Sequence, residues 1–198
     1  MQKTETPLTF RLWTVDEYYL MAEAGILDPE ERVELMEGQV IRMAAKGISH
    51  VIAGKQTQKL LENLLAQKVL VWTQDPIRLN NYSEPEPDIA LVMPPLERYL
   101  DHHPIASEVY LIIEVADTTF RIDRDKKAKA YSRSGIADYC ILDVVDRQLH
   151  VFREPSEAGY QNEIIFSETE SISPLVFPDV SVIVSQMLPK NKALKERL

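Results

Sequence analysis

Apolar positions along this chain recur with two different periods, and the switches between them mark out its elements. Residues Thr14–Ala24 read as a short helix: Thr14 and Glu17 form a capping-box pattern, and Gly25 is placed to end it. Arg32–Met36 and Gln39–Met43 flank Glu37-Gly38 and read as a hairpin. A helix from about Ser49 to Ala66 follows, with Val51, Leu60, Leu61, Leu64 and Leu65 at helical spacing. Val69–Thr73 and Ile77–Leu79 read as strand pieces, and Pro85 and Pro87 punctuate a turn before a strand at Asp88–Val92. Met93 to Ala106 is a proline-rich loop carrying His102 and His103. In Val109–Val115 both alternate faces are hydrophobic, which suits a central strand covered on both sides. Arg121–Ser134 is a charged helix with Gly135 at its C′ position, and Tyr139–Val144 with Gln148–Phe152 reads as a second hairpin. Glu163–Phe166 and Ser181–Val184 are short strands, and the polar tail from Gln186 is a frayed helix. The sum is a mixed α/β pattern without a dividing linker, so the expectation is one domain over 1–198 with its core at about 10–188.

Composition narrows the class. With 45% hydrophobic and 27% charged residues the chain is globular, which excludes a disordered or collagen-like polymer. The longest apolar runs, such as Val109–Ile113, are far too short to cross a bilayer, and MQKTETPLTF has no signal-peptide core. A single cysteine excludes an intramolecular disulfide and a multi-thiolate zinc site, and a cytoplasmic location is the expectation. Against 22 Lys+Arg stand 31 Asp+Glu, a net charge of −9. Such a chain does not coat DNA nonspecifically, so binding would need a local basic patch or a metal that neutralises carboxylates.

Three features bear on chemistry. Glu114 ends the most buried-looking strand and, by two-residue alternation, shares its side with Tyr110 and Ile112. A carboxylate buried there needs a cationic partner, a lysine or a metal; the alternative is a strand-end Glu already in solvent. Asp88 opens the strand Ile89–Val92 after Pro87, and alone reads as a turn residue. If the two strands are neighbours, about 4.8 Å apart, both carboxylates can converge on one divalent cation, and hard oxygen ligands suit Mg²⁺ or Mn²⁺. Asp123, Lys127 and Tyr131 recur at i, i+4 on the following helix. Lys127 either points back to the strand ends, to orient water or offset developing negative charge, or makes an ordinary surface ion pair with Asp123. Arg121, Arg124, Lys126, Lys129 and Arg133 make this stretch the most basic in an acidic chain. His50, at a helix start, could meet phosphate or metal, or be structural. Glu34 is an outer ligand or an exposed hairpin carboxylate. His102 and His103 have no ligand spacing. With no Gly-rich phosphate loop, no G-x-S-x-G pattern, and Cys140 inside a strand, acyl transfer is unsupported.

The run Pro87-Asp88-Ile89-Ala90, then Ile112-Ile113-Glu114-Val115-Ala116-Asp117-Thr118-Thr119, then Asp123, Lys127 and Tyr131, resembles the Uma family of restriction endonucleases. So do Glu34-Leu35-Met36-Glu37-Gly38 with His50, the phrase Ser134-Gly135-Ile136-Ala137-Asp138-Tyr139-Cys140-Ile141-Leu142-Asp143, and Phe177-Pro178-Asp179. The resemblance implies a mixed-sheet α/β fold of the PD-(D/E)XK superfamily: a restriction-endonuclease-like core with flanking helices and an N-terminal hairpin. It implies a Mg²⁺ (or Mn²⁺) site at Asp88 and Glu114, completed by the Val115 carbonyl, with Lys127 as catalytic lysine. Glu34, His50, Asp123 and Tyr131 would form the outer shell. The superfamily's usual lysine position is Ala116 here, so the lysine is moved to the next helix. Cys140 stands where similar sequences carry a bulkier aromatic residue. The implied activity is phosphodiester hydrolysis in DNA, with nucleic acid as partner, no membrane contact and a homodimeric assembly as the expectation. The alternative is a catalytically silent, homodimeric nucleic-acid-binding or scaffolding protein of the same fold.

Overall fold

The computed structural model describes residues 9–190. A first helix, α1 (Val15–Glu23), starts at Thr14, whose hydroxyl accepts from the Glu17 amide while the Glu17 carboxylate accepts from the Thr14 amide. This is the capping box read from the sequence, and Gly25 follows at φ +69°. Strands β1 (Val33–Met36) and β2 (Gln39–Arg42) form the expected hairpin. Helix α2 (Ile48–Leu65) then leads to a six-stranded sheet in the order β3 (Leu70–Trp72), β4 (Ile89–Val92), β5 (Val109–Ala116), β6 (Asp138–Asp143), β7 (Gln148–Arg153), β8 (Asn162–Ser167). Only β5 and β6 run parallel; every other neighbouring pair is antiparallel. The parallel pair needs a crossover, and a helical stretch over 120–133 supplies it. β9 (Ser171–Ile172) and β10 (Val182–Ile183) form a separate small ribbon.

Each face of the sheet carries its own apolar cluster. On one side α2 lays Ala53, Leu61 and Leu65 against Leu111, Ile113 and Val115, with Val182, Val184, Met187 and Leu188 closing the layer. On the other, Ala128, Ala130 and Tyr131 of the crossover pack with Met36 of the hairpin on Ala90, Val92, Ile112, Ala116, Tyr139 and Ile141. β5 is therefore covered on both faces, as its two-sided apolar pattern requires. Burial of each Leu or Ile here contributes about 1.5–3 kcal/mol.

The structure corrects several expectations. The buried stripe of α2 is His50, Ala53, Thr57, Leu61 and Leu65, while Val51 and Leu64 face outward: packing on the sheet selects one face of a helix that is apolar on two. Ile77–Leu79 is not a strand of the sheet; it is an irregular segment held by bonds such as Ile77 N–H to the Pro85 carbonyl and a bridge from Arg78 to Ile105. The loop after β4 contains two short 3₁₀ turns, Leu96–Tyr99 and Ala106–Glu108. A bulge opposite Leu91 and Val92 makes Tyr110 an extra residue of β5, so it packs beside Phe177 in the α2-side cluster and not on the face of Ile112 and Glu114. The tail from Gln186 is not frayed where it begins, because Met187 and Leu188 are core residues. Residues 1–8, most of MQKTETPLTF, and residues 191–198, the rest of the tail, lie outside the described residues. Among the described residues, no helix is long and apolar enough to cross a membrane.

Candidate active site

Antiparallel register sets Ile89 opposite Ile113, so Asp88 and Glu114 stand side by side at one end of the central strands. Both belong to the face that carries Ala90 and Ile112, since side chains repeat every two residues. The Val115 amide donates to Asp88 Oδ2 at 2.9 Å, and the Asp88 amide faces Glu114 Oε2 at 3.4 Å. The two carboxyl groups are thus fixed by each other's backbone. Both are buried, which rules out the solvated strand-end reading of Glu114.

Three elements and one connection converge on this pair. The crossover helix contains a widened π-type turn at Asp123–Lys127, followed by α3 (Ala128–Arg133). Asp123, Lys127 and Tyr131 all face inward and are buried, so the surface ion-pair reading of Asp123 and Lys127 is overturned. Lys127 Nζ donates to Glu114 Oε1 at 3.0 Å and lies 3.3 Å from Glu34 Oε1, while Tyr131 O–H donates to Glu114 Oε1 at 2.8 Å. Asp123 accepts from the Thr119 hydroxyl at 2.7 Å. Glu34 arrives on β1 as a buried carboxylate, not an exposed hairpin residue, and also accepts from the Glu86 amide. From the N-terminal end of α2, His50 Nε2 meets Asp88 Oδ1 at 3.0 Å. Lys46, in the connection between β2 and α2, donates to the same oxygen at 3.0 Å. The sequence reading missed Lys46, which lies outside any periodic element; its only signal is its place four residues before His50. All of these site residues but Tyr131 line a cleft of about 330 Å³, with Glu86, Asp117 and Thr119 also at its walls. His102 lies elsewhere, against Asp101 and Glu108.

The cleft gathers Glu34, Asp88, Glu114 and Asp123 against Lys46 and Lys127, and this imbalance shapes its electrostatics. Burial pushes the Glu114 carboxyl up, Lys127 pulls it down, and Asp88, Asp123 and Glu34 push again, leaving it near 8. Asp123 is raised to about 6, by burial first and then against the pull of Lys127 and Thr119. For Asp88 burial is outweighed by His50, Lys46 and the Val115 amide, which hold it at about 2. Lys127 is held firmly charged: burial opposes its charge, but Glu114, Glu34 and Asp123 prevail. Among the described residues, no three His, Cys, Asp or Glu side chains form a ready-made metal cage. The donor set nonetheless fits a hard divalent cation, because surplus buried carboxylate oxygen is what such an ion neutralises.

A profile of the Uma2 family, described as "Putative restriction endonuclease", matches residues 15–187. Among solved structures, the chain is similar to one titled as a putative nuclease belonging to DUF820 from Anabaena variabilis ATCC 29413. That match has a TM-score of 0.69 at 14% identity and covers 88% of this chain and 96% of the other, which is a likeness of fold. A comparison with curated proteins found no match.

Proposed function

The chain belongs to the Uma2 family, and from that premise we propose that it is a metal-dependent nuclease acting on phosphodiester bonds of DNA, with its centre at Asp88, Glu114 and Lys127. The observation that carries the reading is the pair of buried carboxylates on adjacent strands with a buried lysine hydrogen-bonded to one of them. Asp88, Glu114 and the Val115 carbonyl would hold Mg²⁺ or Mn²⁺. When bound, such an ion polarises a phosphoryl oxygen and lowers the pKa of its water.

The chain's own residues do the rest. Tyr131 and the Asp88 amide fix the Glu114 carboxylate, and His50 and the Val115 amide fix Asp88. Lys127 presents a fixed positive charge beside Glu114, where it can orient a water and offset the negative charge that builds on the phosphate. Glu34 keeps that ammonium in place from the other side. The exposed face of the same helix, with Arg121, Lys126 and Lys129, supplies the local basic surface that an acidic protein needs to meet a polyanion.

Thermal melting and cleavage assays test the reading together. Mn²⁺ at about 100 times its Kd should raise the wild-type Tm by about 5–10 °C, and should not raise that of Asp88→Asn or Glu114→Gln. Cleavage of DNA should require the metal and fall about 100–1000-fold in Lys127→Met, while Lys126→Met alters only affinity. Equal metal shifts in all variants remove the two carboxylates from the site. Metal binding without cleavage of any nucleic acid leaves the silent binding protein as the better reading.

A further inference from the structure

The cleft holds two ammonium groups, and they are mounted differently. Lys127 projects from the middle of a helical stretch and is shared between Glu114 and Glu34. Lys46 sits on the irregular connection 43–47, and Asp88 is the one carboxylate its ammonium pairs with among the described residues. Its side chain keeps 14% of its exposure, against 9% for the Asp88 carboxylate it covers. Asp88 lines the cleft; the oxygen Lys46 covers, Oδ1, also meets His50 Nε2 at 3.0 Å, and Oδ2 is already tied to the Val115 amide.

We infer that Lys46 is a tethered counter-ion, which holds Asp88 Oδ1 in the metal-free protein and must be displaced before a divalent cation can bind there. The inference rests on the metal-site reading above. Two physical facts lead to it. Lys46 and Asp88 both line the cleft, and an ammonium 3.0 Å from a carboxylate oxygen takes up one approach to that oxygen. A divalent ion would approach the same oxygen to about 2.1 Å, so the two like charges exclude one another. Lysine also suits the part: its charge is compact, and its four-carbon stem lets the head swing clear while the backbone stays. Next to it, Gly47 lies alongside the Asp117 carboxylate of the cleft wall, with no side chain between them. Lys46 thus neutralises a carboxylate-rich cleft without metal, at the expense of metal affinity. If the ammonium holds the oxygen nine-tenths of the time, the apparent Kd for metal is weakened about tenfold.

Calorimetric titration with Mn²⁺ at fixed pH, paired with metal-free melting, tests this. Lys46→Met and Lys46→Gln should each bind Mn²⁺ about tenfold more tightly than wild type, and each should melt lower than wild type without metal. Lys46→Arg keeps the charge and should bind within about twofold of wild type. Lys55→Met, on the outer face of α2, serves as the control and should match wild type. Unchanged or weaker Mn²⁺ binding in both Lys46→Met and Lys46→Gln overturns the inference. If Asp88→Asn still abolishes binding in that case, the metal site stands and the tether alone falls. If wild type takes up no Mn²⁺, the metal-site reading fails and the tether falls with it.

Discussion

Glu114 shows how far a single residue's chemistry depends on its neighbours. Its carboxyl titrates near 8 in the fold, raised chiefly by burial and by Asp88, Asp123 and Glu34, against an ordinary 4.5. Between those values the folded chain keeps a proton that the unfolded chain has released. Stability from this group is therefore lost as pH rises through the window, and the loss is complete above about 8. Metal-free Glu114→Gln, which cannot ionise, should gain on wild type in Tm from about pH 5 to pH 8, with a constant gap beyond; each kcal/mol reads as about 2–4 °C in a chain of this size. A gap that is flat from pH 5 to 8 would show that Glu114 is not held protonated. Asp88 has the opposite sign. Held near 2 instead of 3.8 by His50, Lys46 and the Val115 amide against its burial, it contributes stability above 3.8 that disappears as pH falls through 2.

The elements matter here for what they carry to the strand ends. The β1–β2 hairpin turns through Glu37 and Gly38, both at positive φ, and delivers Glu34 to Lys127. Gly38 at φ +74° leaves no room for a side chain: a Cβ would lie 2.6 Å from the Cβ of Leu12 and 3.1 Å from its Cα. Gly38→Ala should therefore destabilise by about 1–3 kcal/mol, because the left-handed backbone and the contact with Leu12 cannot both be kept. Urea unfolding checks this; a change below about 0.5 kcal/mol would mean the hairpin relaxes freely. The crossover is legible in the sequence as a helix, and its i, i+4 set, Asp123, Lys127 and Tyr131, shares one buried face. Its direction was not legible, since a run with basic residues on both sides of that set looks like a solvated helix until the sheet claims Tyr131 and Ala128. In α2 the same ambiguity went the other way, and the sheet chose His50 and Ala53 over Val51 and Leu64.

At the scale of the whole molecule, a net charge of −9 makes contact with nucleic acid depend on local arrangement. Arg124 and Arg133 are engaged with Glu163 and Glu37, so the basic helix is partly neutralised from within. Binding of DNA should accordingly weaken steeply with salt, and each of Lys126→Met and Lys129→Met should reduce the slope of log K against log salt by about 0.9. Fluorescence titrations over a range of salt measure it, and an unchanged slope in both would place the phosphates on another face. The sequence by itself determined most of the element order, with Ile77–Leu79 and β9 as the exceptions, along with the two-sided central strand, the capping of α1 and the carboxylates worth watching, because local periodicity and turn chemistry are written in neighbouring residues. Only the tertiary structure decided that Glu34, Lys46, His50, Asp88, Glu114 and Lys127 share one cleft. Their meeting depends on the register between β4 and β5 and on which helix face the sheet buries. Those are contacts between residues far apart in the chain, where no periodic signal reaches; the bulge at Tyr110, set by pairing with β4, is the plainest case.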